Sequence, residues 1–544
     1  MATAAHRPSF ANPFHAGARV DMHYEVDVGG VLRRVELPFV TAVFADLRGQ
    51  PADTPERVEE RRLIEIDRER FDAVMAELAP RVSFRVPKGL IGESELDVEL
   101  NFRRASDFEP EAWMRQVESL RPLLEDRDAL TPERRATFDE LASRICHHES
   151  FKQLEATWRG LHRLVTQSEC DETLKIRVLS LSKVELGKTL KRYKGTAWDQ
   201  SPIFKRLYSD GYGSFGGEPI GCVVLDFAFD HSPRDVEMLG ELGRIAAASH
   251  VPMLAAAEPA LFQMDSWQEL SNPRDLQKIF MTPEYEAWRR LRDSGDSRYL
   301  VLTLPRYLAR APHGDDDDAN GTACVLRESA MSHADFLWGN AAYLLAEKLH
   351  HAFKIHGWCA RFIGLIGGAV EGLPQVGLCH LDGEQRSVCA TEVAVDERRR
   401  AELADAGLLP IVSRTDLGVA VFMSATVLNR PAQFDDPDAT DDARRAADLH
   451  YVFATARIAH YLKAIERDVL APISHVQRVK DWLRTWIGDY ADPSPGAPDA
   501  FAYPARPFAS VEVEVRESHN KPGKFNLKFW LQLAEWVTSS VRPL

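Results

Sequence analysis

The stretch from residue 172 to residue 302 alternates apolar runs with amphipathic runs, and this alternation constrains the fold more than any other feature. LKIRVLSLS, IGCVVLDFAF and VPMLAAA are typical of strands, whereas VELGKTLKRY and DVEMLGELGRIAAASH have helical spacing. Strands this apolar are buried on both faces, as in a parallel sheet with helices packed against each side. We therefore predict a layered α/β fold with mixed α+β units beside it.

A smaller α/β unit is predicted for residues 19–127. RVDMHYEVD alternates apolar and polar residues as a strand with one buried face does, and glycines at 29–30 turn the chain. The mostly apolar run at 39–44 indicates a buried strand. IDRERFDAVMAELAP predicts a helix with Asp67 as its N-cap. VSFRVP and LDVELNF predict two further strands, and DFEPEAWMRQVESLRPLLEDRDAL predicts one more helix.

Both ends of the chain carry alternating strands. SVEVEVRE and KFNLKFWLQL flank the turn HNKPGK, which predicts a hairpin. Residues 1–18 are polar with two prolines and predict a flexible arm, and DPSPGAP predicts a linker after Tyr490. Because unpaired strand edges invite pairing with another chain, these ends predict strand addition between copies.

Composition excludes several classes of protein. A chain of 544 residues is too long for one ordinary core, so several domains are expected. The net charge of −15 argues against nucleic-acid binding as the main role. Seven scattered cysteines without a CxxC pair suggest neither disulfides nor a zinc knuckle. Without a secretory-signal pattern or an 18-residue apolar stretch, we expect a cytoplasmic protein with no membrane insertion.

A glycine motif suggests nucleotide binding as an alternative function. Gly211, Gly213 and Gly216 match GxGxxG, but a Rossmann turn follows a strand, whereas this run precedes the strand IGCVVLDFAF. A turn or loop that requires glycine is therefore favoured over a nucleotide site. No GxxxxGK[ST], HExxH, HxxEH or GxSxG motif occurs, and we predict no enzymatic activity, no catalytic residues and no cofactor.

The histidines do not suggest a metal site. His147 and His148 are adjacent and would point about 100° apart on a helix, so a structural or exposed role is favoured. A second group has neither i, i+4 nor knuckle spacing: His350, His351, His356 and Cys359. Acidic runs at 314–318 and 434–442 lack the ligand spacing of an EF-hand, so solvated loops are favoured over calcium sites.

Two long parts of the sequence resemble known proteins. ELPFVTAVFADLRG, LIEIDRERFDAVMAELAPRVSFRV and LDVELNFRRASDFEPE resemble the small sheath subunit (TssB) of the bacterial type VI secretion system. FKQLEATWRGLHRLV, LKRYKGTAWDQSPIFKRLY, MDSWQELSNPRDLQKIF and YVFATARIAHYLK resemble the large sheath subunit (TssC). The resemblance covers about nine tenths of the chain and implies that one polypeptide carries both subunits.

The resemblance implies a structural role. Family members form a contractile sheath around a tube of stacked Hcp rings and drive this tube outward. It implies as partners other copies of the chain, the Hcp tube and a baseplate. One alternative is a non-contractile or regulatory sheath paralogue, and another is a nucleotide-binding soluble enzyme. Only one helix fits between Arg127 and Phe151, which argues against recycling by the ClpV unfoldase.

The resemblance also divides the chain. It implies a small-subunit domain at 19–127, a helical junction at 128–150 and large-subunit domains at 151–490, followed by a linker and hairpin at 491–544. Sheath protomers share strands, and on that pattern Arg19–Asp27 is exchanged, with 510–517 and 524–533 as acceptors. The residues implied in this exchange are Val20, Met22, Tyr24, Val26, Val511, Val513, Val515, Phe525, Leu527 and Phe529.

The helix HVQRVKDWLRTWIGDY is a candidate for contact with the inner tube. It mixes Arg478, Lys480 and Arg484 with apolar Val476 and Leu483. An ordinary amphipathic helix with a solvated face explains the same pattern, and this alternative stays open.

Overall fold

The computed structural model describes residues 19–87, 95–125, 131–213, 216–272, 274–314, 325–329, 332–381, 384–414, 417–470, 475–491, 506–517, 525–534 and 537. Its strands are β1 (Tyr24–Val28), β2 (Val31–Val35), β3 (Phe39–Ala45), β4 (Ile64–Ile66), β5 (Arg81–Pro87), β6 (Glu95–Asn101), β7 (Leu174–Ser180), β8 (Ile220–Phe229), β9 (Met253–Ala257), β10 (Leu300–Leu304), β11 (Tyr307–Arg310), β12 (Leu337–Gly339), β13 (Ala369–Val370), β14 (Val376–Leu381), β15 (Glu384–Val388), β16 (Leu409–Arg414), β17 (Val419–Phe422), β18 (Phe508–Glu517) and β19 (Phe525–Leu533). Its helices are α1 (Phe71–Leu78), α2 (Pro110–Met114), α3 (Arg121–Glu125), α4 (Pro132–Cys146), α5 (Glu149–Gln167), α6 (Lys183–Arg192), α7 (Pro202–Phe204), α8 (Asp210–Tyr212), α9 (Pro233–Ser249), α10 (Leu276–Phe280), α11 (Glu286–Asp293), α12 (Ala342–His356), α13 (Gly364–Gly367), α14 (Glu397–Asp405), α15 (Pro437–Ala446), α16 (Leu449–Ile465) and α17 (Val476–Gly488).

The largest sheet in the described part of the chain has nine strands in the order β13-β17-β16-β10-β9-β8-β3-β7-β4. The central pairs, from β16 through β10, β9, β8 and β3 to β7, are parallel, and the outer strands are antiparallel. Antiparallel hairpins such as β5–β6 and β18–β19 lie outside this sheet. The predicted layered α/β fold with mixed units is therefore confirmed.

Strand β3 shows why its sequence is apolar at every position except Thr41. Every residue of this strand is buried. Phe39 and Val43 face one core of the sheet, whereas Val40 and Phe44 face the other. Because side chains of a strand alternate between faces, a strand covered on both sides needs apolar residues at every position.

The small unit predicted at 19–127 contributes two strands to the central sheet, while its hairpins β1–β2 and β5–β6 pair internally. β3 lies between β7 and β8, and β4 pairs with β7. Helix α5 packs against the rest of this region: Trp158 Nε1 donates to the carbonyl of Leu47 at 3.0 Å, and its ring meets Phe71 edge-on. The two predicted α/β units are therefore joined by one sheet and one core. The predicted domain bounds stay a prediction.

Two helix predictions needed correction. The first helix begins at Phe71 rather than after Asp67, because the Asp67 carboxylate accepts from the amide of Arg70 at 2.8 Å and closes a turn before the helix. The single helix expected over 107–130 is two short helices, α2 and α3. Proline lacks an amide and is tolerated only in the first turn of a helix, so Pro122 begins a new one.

The acidic run at 434–442 is only partly a loop. Asp436 caps α15, its carboxylate accepting from the amide of Asp438 at 3.1 Å, so residues 437–442 are helical. The predicted loop is wrong there. The aspartates at 315–318, the arm at 1–18 and most of the linker after Tyr490 lie outside the described residues.

Candidate assembly surface

Both ends of the chain meet in a third core. β1, α16, α17 and the β18–β19 hairpin bury their apolar faces together there. Met22, Tyr24 and Val26 are 1%, 1% and 5% exposed, as the alternation predicted, and Val513 and Val515 of β18 belong to the same core. The segments predicted to exchange therefore share one core within the same chain.

Aromatic side chains hold the backbone at and before β1. Trp486 Nε1 donates to the carbonyl of His23 at 2.8 Å, and the amide of His23 donates to Tyr490 Oη at 3.1 Å. Trp358 Nε1 donates to the carbonyl of Val20 at 3.1 Å. Sequence reasoning missed these three contacts, because a local pattern shows at most that a ring faces inward and not what its polar atom contacts.

The Tyr24 hydroxyl anchors β1 to the segment after α16. It donates to Asp468 Oδ2 at 2.6 Å, and Arg467 Nη2 donates to the same carboxylate oxygen at 2.8 Å. Burial, and then the hydrogen bond and negative charge of Asp468, raise the pKa of Tyr24. The phenol therefore remains protonated and keeps donating at physiological pH.

Arg457 connects the third core to the central sheet. Its guanidinium donates to the carbonyls of Pro38 at 3.1 Å and Leu37 at 2.5 Å, just before β3. The same guanidinium lies over the ring of Tyr461. Tyr461 Oη accepts from the amide of Leu37 at 2.9 Å and donates to the carbonyl of Met22. Helix α16 thus fixes the chain both before β1 and after β2.

The predicted C-terminal hairpin is confirmed. Its register places Val511 opposite Leu531, Val513 opposite Phe529, Val515 opposite Leu527 and Phe525 opposite Glu517. The side chain of Phe525 lies outside the described part. Among the described strands, β18 and β19 pair only with each other. Ala491 bridges Phe508 at the start of β18, and beyond this bridge the outer edges have no described strand beside them. Such an edge can accept a further strand.

The N-terminal segment does not pair with this hairpin. β1 pairs with β2, with Tyr24 opposite Val35 at the start of the ladder. Val20 and Met22 precede this ladder. The structure therefore brings the predicted exchange residues to one core but not into one sheet, and exchange between copies stays a prediction.

Helix α17 carries the basic residues predicted to contact an inner tube. Its buried stripe includes Val479 and Leu483. Arg478 and Arg484 are exposed and Lys480 is half-buried. At 100° per residue, Arg478 and Arg484 lie about 120° apart, on opposite sides of this stripe. The three cations therefore do not form a single row.

The glycine run precedes β8, as predicted. A Cβ at Gly211 would lie 2.9 Å from Pro219 Cα, and a Cβ at Gly213 would lie 2.6 Å from the carbonyl oxygen of Ser209. Helix α8, which contains Gly211 and ends just before Gly213, has three residues. These two glycines allow close backbone packing, and nothing in their geometry favours phosphate binding.

His350 is a buried structural residue rather than a ligand. Its Nε2 shares a 2.7 Å hydrogen bond with Thr41 Oγ1, and its Nδ1 shares a 2.6 Å hydrogen bond with Ser168 Oγ. Burial lowers the pKa of His350 to about 3. Both ring nitrogens are thus occupied by hydroxyls of the protein.

No helix in the described part of the chain combines the length and apolarity required to cross a membrane.

Family models match almost the whole chain. Residues 15–146 match the type VI secretion system VipA family. Residues 135–429 match the VipB family, the EvpB tail sheath N-terminal domain, and residues 438–539 match the tail sheath gpW/gp25-like domain.

Two curated relatives come from Pseudomonas aeruginosa. The type VI secretion system sheath protein TssC1 is 49% identical over 403 residues, which cover 73% of this chain and 81% of the relative. The sheath protein TssB1 is 44% identical over 112 residues, which cover 21% of this chain and 65% of the relative. The chain thus spans slightly less than two thirds of the length of TssB1.

Two solved structures are weakly similar to this chain. The contracted helical sheath of the anti-feeding prophage has a TM-score of 0.32 and 16% identity, covering 69% of this chain and 78% of that chain. The baseplate of the same particle has a TM-score of 0.36 and 12% identity, covering 95% and 98%. Scores this low support no conclusion about arrangement. The family models and the sequence relatives show that the chain belongs to the type VI secretion sheath family, with a TssB region fused to a TssC region.

Proposed function

We propose that the chain is a structural protomer that polymerises into a helical sheath around the Hcp inner tube and contracts to propel it. The observation that carries this proposal is the match of both sheath families within one polypeptide, at residues 15–146 and 135–429. Self-association, contact with a baseplate and a role without catalysis belong to the same proposal.

The fusion fits this role. In our proposal the small-subunit region is 19–127 and the large-subunit region is 151–490, joined through 128–150. The covalent link fixes their ratio at one to one and makes their association intramolecular. The position of β3 between β7 and β8 supports two regions that act as one body.

We further propose that neighbouring protomers pair at the outer edges of the β18–β19 hairpin, with Arg19–Asp27 as the exchanged strand. The hairpin supports this with two edges that no described strand covers. Met22, Tyr24 and Val26 are buried in their own chain. Exchange would therefore replace this burial by burial against a neighbour, as in domain swapping, and would add backbone pairing at the hairpin edge.

The inner-tube contact is proposed for Arg478, Lys480 and Arg484 on α17. The exposure of the two arginines supports it. Because their charges lie on opposite sides of the buried stripe, they would contact the tube from two directions rather than as one row.

Electron microscopy tests the main proposal. Negative-stain images and sedimentation of the purified chain, with and without Hcp, should show hollow helical tubes that pellet. Dispersed protomers under both conditions would contradict the proposal.

Two variants of Met22 test the strand exchange. Met22→Ala and Met22→Pro both remove the buried side chain, but only the proline also removes the backbone amide. Met22 precedes the β1–β2 ladder, so its amide is not needed within that ladder. Tubes from Met22→Ala but not from Met22→Pro are expected. Tubes from both variants would exclude backbone pairing at this position.

A further inference from the structure

Three potential metal ligands converge where α4 ends. Cys146 is the last residue of α4, His147 follows it, and Glu328 comes from the segment 325–329. Cys146 Sγ, a ring nitrogen of His147 and a carboxylate oxygen of Glu328 all lie within 4.8 Å of one another. This group could not be predicted from local sequence patterns, because Glu328 is 181 residues from His147.

Hydrogen bonds hold Glu328 in place. Its backbone amide donates to the carbonyl of His313 at 2.9 Å, and the amide of Ser329 donates to Ser143 Oγ at 3.0 Å. The segment is therefore tied to α4, so its carboxylate is positioned before any ion binds.

One oxygen of Glu328 is available to an ion. Oε2 accepts from Arg310 Nη1 at 2.6 Å and from the amide of His313 at 2.8 Å. Oε1 faces His147 Nε2 at 2.9 Å. Glu328 can therefore keep its ion pair with Arg310 through Oε2 while Oε1 binds an ion.

Glu328 shares the positive charge of Arg310 with a second carboxylate. Arg310 bridges Glu328 and Glu155, and Arg159 bridges Glu155 and Glu109. This chain of contacts holds three carboxylates against two guanidiniums, and its Glu328 end is 2% exposed. Buried charge of this kind is stabilised when a counter-charge lies close to it.

The spacing is close to that of a tetrahedral zinc site. Ligand atoms about 2.0–2.1 Å from tetrahedral zinc lie about 3.3 Å from each other, so Nε2 and Oε1 need to separate by about 0.4 Å. Binding would move the imidazole proton to Nδ1, which lies 3.8 Å from Asp335 Oδ1. A carboxylate facing the second nitrogen of a metal-bound histidine is a common arrangement.

We propose that Cys146, His147 and Glu328 bind one Zn²⁺ ion, with the fourth position left to water. A thiolate, an imidazole and one carboxylate suit zinc rather than calcium or magnesium, which prefer oxygen ligands alone. The thiol gives up its proton on binding. The ion would fasten α4, which links the TssB and TssC regions, to the segment that carries Glu328.

Metal titration tests the proposal. The full chain is stripped with a chelator, desalted and titrated with ZnCl₂ against a chromophoric competitor. One ion per chain is expected in the wild type and in the control Cys170→Ser, a half-buried cysteine outside the group. Cys146→Ser and His147→Gln are expected to bind on the order of tenfold more weakly or worse, as loss of a ligand requires.

Cobalt gives a second, spectroscopic readout. Co²⁺ bound to the wild-type chain should show a thiolate-to-cobalt charge-transfer band in the near ultraviolet, retained in Cys170→Ser and absent in Cys146→Ser. The proposal is wrong if the wild-type chain lacks this band, or if it binds Zn²⁺ no more tightly than Cys146→Ser. Circular dichroism verifies that each variant is folded.

Discussion

Thr41 and His350 share a buried hydrogen bond of 2.7 Å that joins the TssB region to the TssC region. Thr41 lies on β3 and His350 on α12, and their exposed fractions are 0% and 1%. The two regions thus meet through polar as well as apolar contacts, inside the core of the central sheet.

Removing the Thr41 hydroxyl should destabilise the protein. Thr41→Val keeps the shape of the side chain but leaves a ring nitrogen of His350 without a partner. We expect the free energy of unfolding to fall by about 1–3 kcal/mol, as measured by urea denaturation. The control is Thr455→Val, whose hydroxyl donates within its own helix and whose loss should cost less than about 1 kcal/mol. Equal effects of the two changes would contradict the assigned role of Thr41.

Buried histidines should make the protein sensitive to mild acid. Burial lowers the pKa of His350 and of His460 to about 3, below the value near 6.5 in an unfolded chain. The unfolded state therefore binds more protons, so stability is present above pH 6.5 and falls as the pH drops from 6.5 towards 3. Each histidine contributes a slope of about 1.4 kcal/mol per pH unit in the middle of this window. Buried carboxyl groups with a raised pKa, such as Asp226, act in the opposite direction.

His460→Gln isolates one of these contributions. His460 Nε2 lies 2.9 Å from the carbonyl of His250, and a glutamine amide can donate there without titrating. Between pH 4 and 5.5 the slope of unfolding free energy against pH should decrease by about 1.4 kcal/mol per unit. The exposed His475→Gln should leave the slope unchanged. An unchanged slope in His460→Gln would show that His460 does not titrate as expected.

Arg457 should be far more sensitive to replacement by lysine than a surface arginine. Arg457→Lys keeps the positive charge, but the lysine ammonium lacks the planar guanidinium that donates to two backbone carbonyls at once. We expect a loss of about 1–3 kcal/mol in urea denaturation. Arg430→Lys, in an exposed pair with Asp293, should cost less than about 1 kcal/mol. Similar losses at both positions would mean that Arg457 does not connect the third core to the sheet.

Cutting the chain between α3 and α4 should leave the protomer assembled. With a protease site inserted between Glu125 and Pro132, the cleaved fragments should co-elute in size-exclusion chromatography, because β3 lies between two strands of the other fragment. As a control, the same protease site is inserted between Gly30 and Val31. Cleavage there separates β1 from β2 but leaves β3 in the large fragment. Separation of the fragments after the first cut, without denaturant, would show that the covalent link is required.

Local patterns in the sequence predicted most strands and helices. The alternation from Val20 to Val26 indicated which side chains are buried, and the apolar run at 39–44 indicated a strand covered on both faces. These patterns depend only on neighbouring residues, and neighbouring residues determine which face is apolar. The helix errors at Asp67 and Pro122 came from capping and proline geometry, which shift boundaries by a few residues.

Contacts between distant residues could not be predicted in the same way. An apolar strand does not encode its neighbours, and Thr41 pairs with Ile176 on one side and Cys222 on the other. In the candidate assembly surface, the inward position of Tyr24 was predictable, but its acceptor Asp468, 444 residues away, was not. From the sequence alone, many other carboxylates were equally good candidates to accept the hydrogen bond of the Tyr24 hydroxyl.

The central position of β3 also has a consequence for biosynthesis. Thr41 is made early, yet its neighbours Ile176 and Cys222 are made 135 and 181 residues later. At translation rates of about 5–20 residues per second, this strand waits on the order of ten seconds for its first partner. Until β7 and β8 have been made, the apolar side chains of β3 are open to premature contacts with other apolar segments, the usual route to misfolding in large chains.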